Sequence, residues 1–228
     1  MAPPPGVFIV CSDQHRNGKT LLARVLVDYL LLEERDPFVI DLSHPEGALR
    51  SYFPGRTAMV DFGHVSGQIK AFDTIIKAPG RDYVIDIPAQ HLPKFCATVA
   101  DLQFRQEIRK SGFRLIVFFI IDKGEESLKS ATHVEDILAP DLFIPVRNEV
   151  VGSALPRRFG GLTLTMPALE PEVLEIVNAR RFSFRTFLLG EEQAVPLRVR
   201  PNLKTFLHSV ISGFRDMEPA LSLLNLRG

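Results

Sequence analysis

The chain has 228 residues, 46% of them hydrophobic and 24% charged, and its 27 Lys and Arg balance its 27 Asp and Glu. This length allows one α/β domain with a full core, and the zero net charge excludes a molecule built as a whole for nucleic acid or acidic membranes. Two cysteines, Cys11 and Cys96, are too few for a disulfide framework, and no basic-then-apolar signal segment opens the chain, so we expect a cytoplasmic protein.

Short, continuous apolar runs alternate along the chain with segments of helical periodicity. The runs predict strands at 7–11, 38–42, 83–87, 114–122, 142–146 and 162–166. The periodic segments predict helices at 20–35, 67–77, 91–111, 125–138 and 171–179, and a last helix after the loop at 190–196. The alternation predicts an α/β fold, with a mostly parallel, twisted sheet covered by helices on both faces, in one three-layer domain over residues 1–228. We place its core at about 7–190, and a C-terminal extension with an amphipathic helix at 191–228.

The stretch Cys11–Arg24, CSDQHRNGKTLLAR, joins the first strand to the first helix. Its Gly-Lys-Thr matches the end of the phosphate-loop pattern G-x-x-x-x-G-K-[ST], while Asp13 occupies the position of the first glycine. A buried strand precedes the motif and a helix follows it, so backbone N–H groups and the helix N-terminus are placed to hold phosphate oxygens. A lysine at a helix N-terminus opposes the helix dipole, which also favours an anion here. We therefore expect nucleotide contacts from Gln14, His15, Arg16, Asn17, Gly18, Lys19, Thr20 and Leu21.

Two aspartates close apolar strands at the carboxyl edge of the predicted sheet. Asp41 ends the run FVID, and Asp86 ends the run YVID. Open α/β sheets bind ligands at this edge, so Asp41, Asp86 and the hydroxyl of Thr20 form the predicted Mg²⁺ site. The alternative for each aspartate is a strand-end residue that caps the following turn.

Four segments together resemble the ParA/MinD-type P-loop ATPases, a family with a deviant phosphate loop. Asp41-Leu-Ser-His-Pro-Glu-Gly is similar to its D-x-D-P-Q motif, with one residue added and the second Asp missing. Tyr83-Val-Ile-Asp-Ile-Pro-Ala resembles its Y-x-x-I-D-x-P-P segment, and Pro145-Val-Arg-Asn148 resembles the strand end whose Asn reads the base. Met166-Pro-Ala-Leu-Glu-Pro-Glu-Val-Leu-Glu resembles a late I-P-x-x-x-x-V-x-x-A stretch beside the adenine. The resemblance covers about residues 7–189, and partition, conjugal-transfer and uncharacterised bacterial members look nearest.

The resemblance implies a P-loop NTPase fold, ATP or ADP and Mg²⁺ as cofactors, and base contacts from Asn148 and Pro167. The catalytic candidates are Lys19, Asp41 and Arg16. The family's loop reads K-G-G-x-G-K-[ST], and its first Lys, which reaches the partner subunit's nucleotide, is replaced here by the uncharged Gln14. We expect either that Arg16 substitutes for this Lys and allows an ATP-dependent homodimer, or that the protein stays a monomer that hydrolyses ATP very slowly.

Three functions stay open at this point. The leading hypothesis is an ATP- and Mg²⁺-dependent switch ATPase whose ordered loops engage a protein partner or a surface. The second is a metabolic enzyme similar to the dethiobiotin-synthetase-like ligases, which the non-glycine loop favours. The third is a non-hydrolysing nucleotide-binding scaffold, which the replaced Lys favours.

The C-terminal third and the histidines carry weaker signals. Residues 151–228 hold ten Lys and Arg against seven Asp and Glu, which we interpret as a solvated surface rather than a nonspecific DNA contact. An apolar stripe at helical spacing between Leu203 and Phe214 is expected to pack on the domain rather than to dock on a membrane or partner. His44 is interpreted as a solvated loop residue rather than a catalytic group, and His91 and His133 lack the spacing of a zinc site.

Overall fold

The computed structural model describes residues 4–225 except 46, 153–160, 180 and 192–194. Its strands all pair in parallel in one sheet, in the order β3-β2-β4-β1-β5-β6-β7. They are β1 Gly6–Cys11, β2 Pro37–Asp41, β3 Thr57–Met59, β4 Asp82–Asp86, β5 Arg114–Ile121, β6 Leu142–Asn148 and β7 Leu164–Met166. The six predicted strands are therefore present, and the short edge strand β3 is an addition that has no apolar run of its own.

The helices cover both faces of the sheet, as predicted. They are α1 Lys19–Leu32, α2 Leu49–Tyr52, α3 Val65–Ile76, α4 Leu92–Asp101, α5 Phe104–Lys110, α6 Glu125–Leu138, α7 Pro171–Asn178, α8 Phe184–Leu188 and α9 Arg200–Asn225, with a 3₁₀ turn at Ala89–His91. None of these helices in the described residues is long and apolar enough to span a bilayer.

The prediction of one continuous helix over 91–111 is wrong. The helix breaks after Asp101, because Gln103 adopts a left-handed backbone conformation with φ 49° that no α-helix continues through. The break redirects the chain so that Phe104 and Ile108 of α5 are buried. The ring of Phe104 then packs 4.5 Å, centroid to centroid, from that of Phe72 on α3. This aromatic contact joins two separate helices, so the helical periodicity of one segment could not predict it.

Alternate side chains of the central strand β5 supply the two halves of the core. Ile116 and Phe118 point into a cluster formed with α1, α7, α8 and α9. Leu115 and Val117 point into a cluster formed with α3, α4, α5 and α6. The sheet is thus buried on both faces, which is why its strands read as continuous apolar runs.

The last helix packs on the sheet through its apolar stripe. The buried stripe residues are Leu203, Phe206, Leu207, Val210, Ile211 and Phe214. Gly213 lies so close to β7 that an added Cβ would approach Leu164 Cγ to 3.2 Å. The packing alternative for this stripe is confirmed, and α9 contributes to the core cluster that also contains α1.

The strand order determines where functional side chains meet. β1 lies between β4 and β5, and β2 lies beside β4. Because all strands run parallel, their carboxyl ends share one edge of the sheet, where the loop after β1, Asp41, Asp86 and Asn148 all lie.

Candidate functional site

The loop between β1 and α1 is held by a buried serine. Ser12 Oγ donates to Ile120 O at 2.8 Å on the neighbouring strand β5. The same oxygen accepts the Gln14 backbone N–H at 3.2 Å and the Asn17 side-chain amide at 2.5 Å. Side-chain hydrogen bonds therefore shape a loop that has a single glycine, Gly18, where the family has three.

Two residues of this loop have left-handed backbone conformations. Gly18 has φ 93°, and a Cβ placed there would lie 3.1 Å from Asn148 Nδ2 and 3.3 Å from Met166 Cε. Arg16 has φ 54°, a conformation that costs a non-glycine residue about 1–2 kcal/mol. The loop thus adopts at position 16 a backbone conformation that favours glycine, even though an arginine occupies it.

Gly18→Ala is expected to destabilise the fold more than a glycine substitution of equal backbone strain. Gly112→Ala is the matched control, because Gly112 has φ 81° and an added Cβ there meets nothing within 4 Å. Both variants incur left-handed strain, and only Gly18→Ala also crowds Asn148, so its loss of unfolding free energy should exceed that of the control by about 1 kcal/mol or more. Denaturant titrations measure both values. Equal losses would show that the approach of Asn148 is unimportant.

Lys19 is a buried cation whose hydrogen-bond partners are neutral. Its side chain is only 8% exposed, and Nζ donates to Gln14 O and, at 3.1 Å, to Asn17 Oδ1. Burial lowers the pKa of Lys19, and the charge of Asp86 acts in the opposite direction. Because Lys19 is the first residue of α1, its positive charge is unfavourable beside the positive end of the helix dipole. An anion bound at this position would stabilise both the lysine charge and the helix N-terminus.

Thr20 and Asp86 form a direct hydrogen bond beside Lys19. Thr20 Oγ1 donates to Asp86 Oδ2 at 2.7 Å. The pKa of Asp86 is raised to about 7, chiefly by burial and also by neighbouring Asp41, although the Thr20 hydrogen bond and Lys19 act in the opposite direction. A hydroxyl and a carboxylate in contact are hard oxygen ligands, so this donor set fits Mg²⁺.

Asp41 lies next to Asp86 in the strand register but has partners of its own. Its Oδ1 accepts the Ser43 N–H at 2.9 Å, and its Oδ2 accepts the Leu49 N–H at 3.1 Å. Gly47 passes so close that an added Cβ would lie 2.9 Å from Asp41 Oδ2. In this structure Asp41 shapes the loop after β2, and its assignment as a catalytic and metal-binding residue stays a prediction.

Two cavities meet at the phosphate loop. The first has a volume of about 440 Å³ and is lined by His15, Arg16, Lys19, Thr20, Ser43, His44, Pro45, Asp86, Pro88, Ala89 and Gln90. The second has a volume of about 310 Å³ and is lined by Arg16, Asn17, Gly18, Lys19, Thr20, Leu21, Asn148, Val150, Leu174 and Asn178. The first is polar and contains the Thr20–Asp86 pair, whereas the second has exposed apolar side chains beside three amides.

The amide of Asn148 is oriented by two hydrogen bonds. Nδ2 donates to Asn17 O at 2.8 Å, and Oδ1 accepts the Val150 N–H at 3.0 Å. An amide side chain has two N–H donors and two oxygen lone pairs, so one of each is left for a ligand. The remaining pair matches the N7 acceptor and N6 donor of adenine, whereas guanine presents two acceptors there.

The predicted site residues are distributed unevenly. His15, Arg16, Asn17, Gly18, Lys19, Thr20, Leu21, Asp86 and Asn148 line the two cavities. Gln14 is exposed and donates through Nε2 to Asp13 Oδ2 at 3.0 Å, and Pro167 follows β7 directly without lining either cavity. Both assignments stay predictions.

Sequence reasoning missed several residues of the site, among them Ser12, Val150, Leu174 and Asn178. Ser12, a polar residue directly after an apolar strand, carried a usable signal. Val150, Leu174 and Asn178 carried none, since they come from the turn after β6 and from α7 and meet the loop only in the folded chain.

Comparisons with known proteins identify the fold. A scan against protein-family models and a search of curated proteins find no match. Among solved structures, the MinC:MinD cell division protein complex of Aquifex aeolicus matches with a TM-score of 0.55 and 14% identity over 93% of this chain and 95% of that chain. A nucleotide-binding protein of Archaeoglobus fulgidus in complex with ADP matches with a TM-score of 0.53 and 10% identity over 89% and 91%. The MinD cell division protein of Aquifex aeolicus matches with a TM-score of 0.51 and 14% identity over 93% and 96%. At these identities the likeness concerns the fold alone, and the chain therefore shares the α/β fold of the MinD and nucleotide-binding structures.

Proposed function

We propose that this protein binds ATP or ADP with Mg²⁺ at the carboxyl edge of its sheet and acts as a nucleotide-dependent switch ATPase. The observation that carries the proposal is the buried Lys19, which has neutral hydrogen-bond partners and lies beside the Thr20–Asp86 pair. A buried cation next to two hard oxygen ligands suits a phosphate chain and its divalent cation. The Archaeoglobus fulgidus structure contains ADP, which supports a nucleotide ligand for this fold.

The two cavities divide the nucleotide between them in this proposal. The backbone of the loop and Lys19 would hold the phosphates, and Thr20 and Asp86 would hold Mg²⁺, which supplies positive charge to the phosphate oxygens. The second cavity would take the base between Leu174 and Val150, with Asn148 selecting adenine.

Switching would use the loops that line the first cavity. Ser43 and His44 follow β2, and Pro88 and Gln90 follow β4, so both loops face the position proposed for the terminal phosphate. A triphosphate contacts these loops and a diphosphate does not reach as far, so the two nucleotides stabilise different loop arrangements. The Aquifex aeolicus MinD in complex with MinC supports a protein as the reader of such a state.

The direct test is calorimetric titration of the full chain with ATP and ADP, with and without Mg²⁺. We expect binding of both nucleotides, with tighter ATP binding when Mg²⁺ is present, and weaker binding of GTP than of ATP. If neither ATP nor ADP binds measurably under any of these conditions, the proposal is wrong.

Asp86→Asn is expected to remove the Mg²⁺ dependence of ATP binding without damaging the fold. The amide keeps the shape of the side chain and accepts the Thr20 hydrogen bond, but it is a poor ligand for Mg²⁺. Because Asp86 is buried and its pKa is raised to about 7, losing its charge should leave the melting temperature unchanged or higher without metal. Asp122→Asn, directly after β5, is the control and should retain the Mg²⁺ effect. An undiminished Mg²⁺ effect in Asp86→Asn would exclude Asp86 as a ligand.

We further propose that Arg16 replaces the family's signature Lys and allows an ATP-dependent homodimer. Arg16 lines both cavities despite its left-handed backbone. Facing triphosphates repel one another in a partly desolvated interface, so a cation is needed there, and a guanidinium suits phosphate oxygens.

Arg16→Gly is expected to abolish dimerisation and to leave stability nearly unchanged. Relief of about 1–2 kcal/mol of backbone strain offsets the added entropy of the unfolded chain, about 0.5–1 kcal/mol. Arg16→Lys should retain part of the dimer because it keeps the charge. Sedimentation of each variant with a non-hydrolysable ATP analogue measures the dimer. A dimer that survives Arg16→Gly would remove Arg16 from the mechanism.

A further inference from the structure

A third cavity lies away from the phosphate loop, at the other end of α1. We call it the α8–α9 groove; it has a volume of about 550 Å³, and Leu188, Leu189, Lys204, His208, Ile211 and Arg215 are among its lining residues. It shares no residue with the two cavities at the loop. The helix α1 spans 14 residues, or about 20 Å at 1.5 Å per residue, and the groove begins where that helix ends, at Leu32.

One wall of the α8–α9 groove is apolar and open to solvent. Leu188 and Leu189 are adjacent at the end of α8, and they are 40% and 50% exposed. Phe187 and Ile211, which are almost fully buried, line the groove beside them and connect this surface to the core. Exposed leucines that are contiguous with buried apolar side chains are typical of a docking surface, whereas isolated exposed apolar residues are common on any protein surface.

The opposite wall is a row of basic side chains on one helix. Lys204, His208 and Arg215 lie at i, i+4 and i+11 of α9, so they share a face and span about 16 Å along it. Among the described residues that line the groove, Glu33 is the one with an acidic side chain. It pairs with Arg215 at 3.4 Å. That pair is solvent-exposed and therefore weak, so a ligand's carboxylate can replace Glu33 at little cost.

We propose that the α8–α9 groove binds an amphipathic α-helix of a partner protein, with leucine-type residues on one face and acidic residues along its flank. Three turns of a helix cover about 16 Å, which matches the length of the basic row. The apolar face of such a helix fills the wall formed by Leu188 and Leu189, and its carboxylates lie against Lys204 and Arg215.

The geometry of the groove disfavours two other negatively charged occupants, a fatty acid and an anionic bilayer. A fatty acid has one carboxylate, which is best held by converging cations, whereas these cations are spread along a helix. A flat anionic bilayer contacts convex surfaces, whereas Leu188 and Leu189 line a concave groove beside α9.

The test is selection of a displayed library of random 16-residue helical peptides against the full-length protein. We expect enriched peptides to have apolar residues at i, i+3 or i+4 and i+7, with Asp or Glu on one flank. Affinity for an enriched peptide should fall at least tenfold with Lys204→Glu and with Leu189→Asp, and it should weaken as salt is raised. Fluorescence anisotropy measures these affinities.

Matched controls lie on the opposite face of the sheet. Lys70→Glu on α3 and Leu102→Asp after α4 change an exposed lysine and an exposed leucine in the same way, and both should leave peptide affinity unchanged. Thermal melts verify that all four variants fold. Enrichment of basic peptides, or affinity unaffected by Lys204→Glu and Leu189→Asp, would overturn the proposal. Binding to vesicles of phosphatidylglycerol that depends on these two residues, without peptide binding, would assign the groove to a lipid surface instead.

Discussion

Arg24→Ala should lower the free energy of unfolding by about 3–5 kcal/mol, the largest loss expected for a polar residue of α1. Arg24 is 2% exposed, and its Nη2 donates to Val177 O at 2.5 Å and to Phe182 O at 3.4 Å. Its guanidinium lies 3.6 Å from the centroid of the Tyr52 ring. Removing the side chain leaves a large cavity and unpaired carbonyl groups, and each unpaired group costs about 1–3 kcal/mol.

The charge of Arg24 persists although the residue is buried. Desolvation lowers its pKa to about 10, and Tyr52 and Asp28 partly counter this effect, so the guanidinium stays protonated at neutral pH. Asp28, one turn further along α1, accepts the Phe184 N–H at 2.6 Å. Together the two residues attach the chain segment from α7 to α8 onto the helix that opens at the phosphate loop.

Urea titrations measure this prediction. Arg24→Lys should recover less than half of the loss, because an ammonium lacks the planar fork and the stacking surface of a guanidinium. Arg50→Ala, at an exposed position of α2, should change stability by less than about 0.5 kcal/mol. A loss below about 1 kcal/mol for Arg24→Ala would mean that the segment from α7 to α8 is held by its apolar contacts alone.

Lys19→Ala should weaken ATP binding on the order of tenfold to a hundredfold. A charge-assisted hydrogen bond contributes about 1.5–3 kcal/mol, and Lys19 is the buried cation of the described loop. The fold should not suffer, because the lysine is desolvated and its hydrogen-bond partners are neutral oxygens. Thermal stability without nucleotide is therefore expected to be equal to or higher than that of the wild type.

Calorimetric titration of Lys19→Ala with Mg²⁺ and ATP measures the affinity. Lys129→Ala is the control, because Lys129 is exposed on α6 and pairs only with Glu126 among the described residues, at 2.9 Å. Unchanged ATP affinity in a folded Lys19→Ala protein would show that the phosphate loop has been misinterpreted. A partner that still binds this variant would favour a scaffold over a nucleotide switch.

The sequence alone determined the fold class and the location of the loop. Strands buried on both faces must be continuous apolar runs, so VFIVC and LIVFFII identified β1 and β5 without any structure. The phosphate loop could be located from the Gly-Lys-Thr motif, which follows such a strand and precedes a segment of helical periodicity. This was possible because the motif is formed by residues that are neighbours in sequence. The helical spacing of the apolar residues in α9 likewise predicted which face of that helix is buried.

Only the tertiary structure decided what depends on distant residues. Ser12 bonds to Ile120, and Asn148 bonds to Asn17, across more than 100 positions of the chain, and no local period records such pairs. The break at Gln103 brings Phe104 against Phe72, a contact between distant elements that the helical propensity of the segment does not record. The α8–α9 groove arises in the same way, since its apolar wall and its basic row come from separate helices that meet only when the core around α1 has formed.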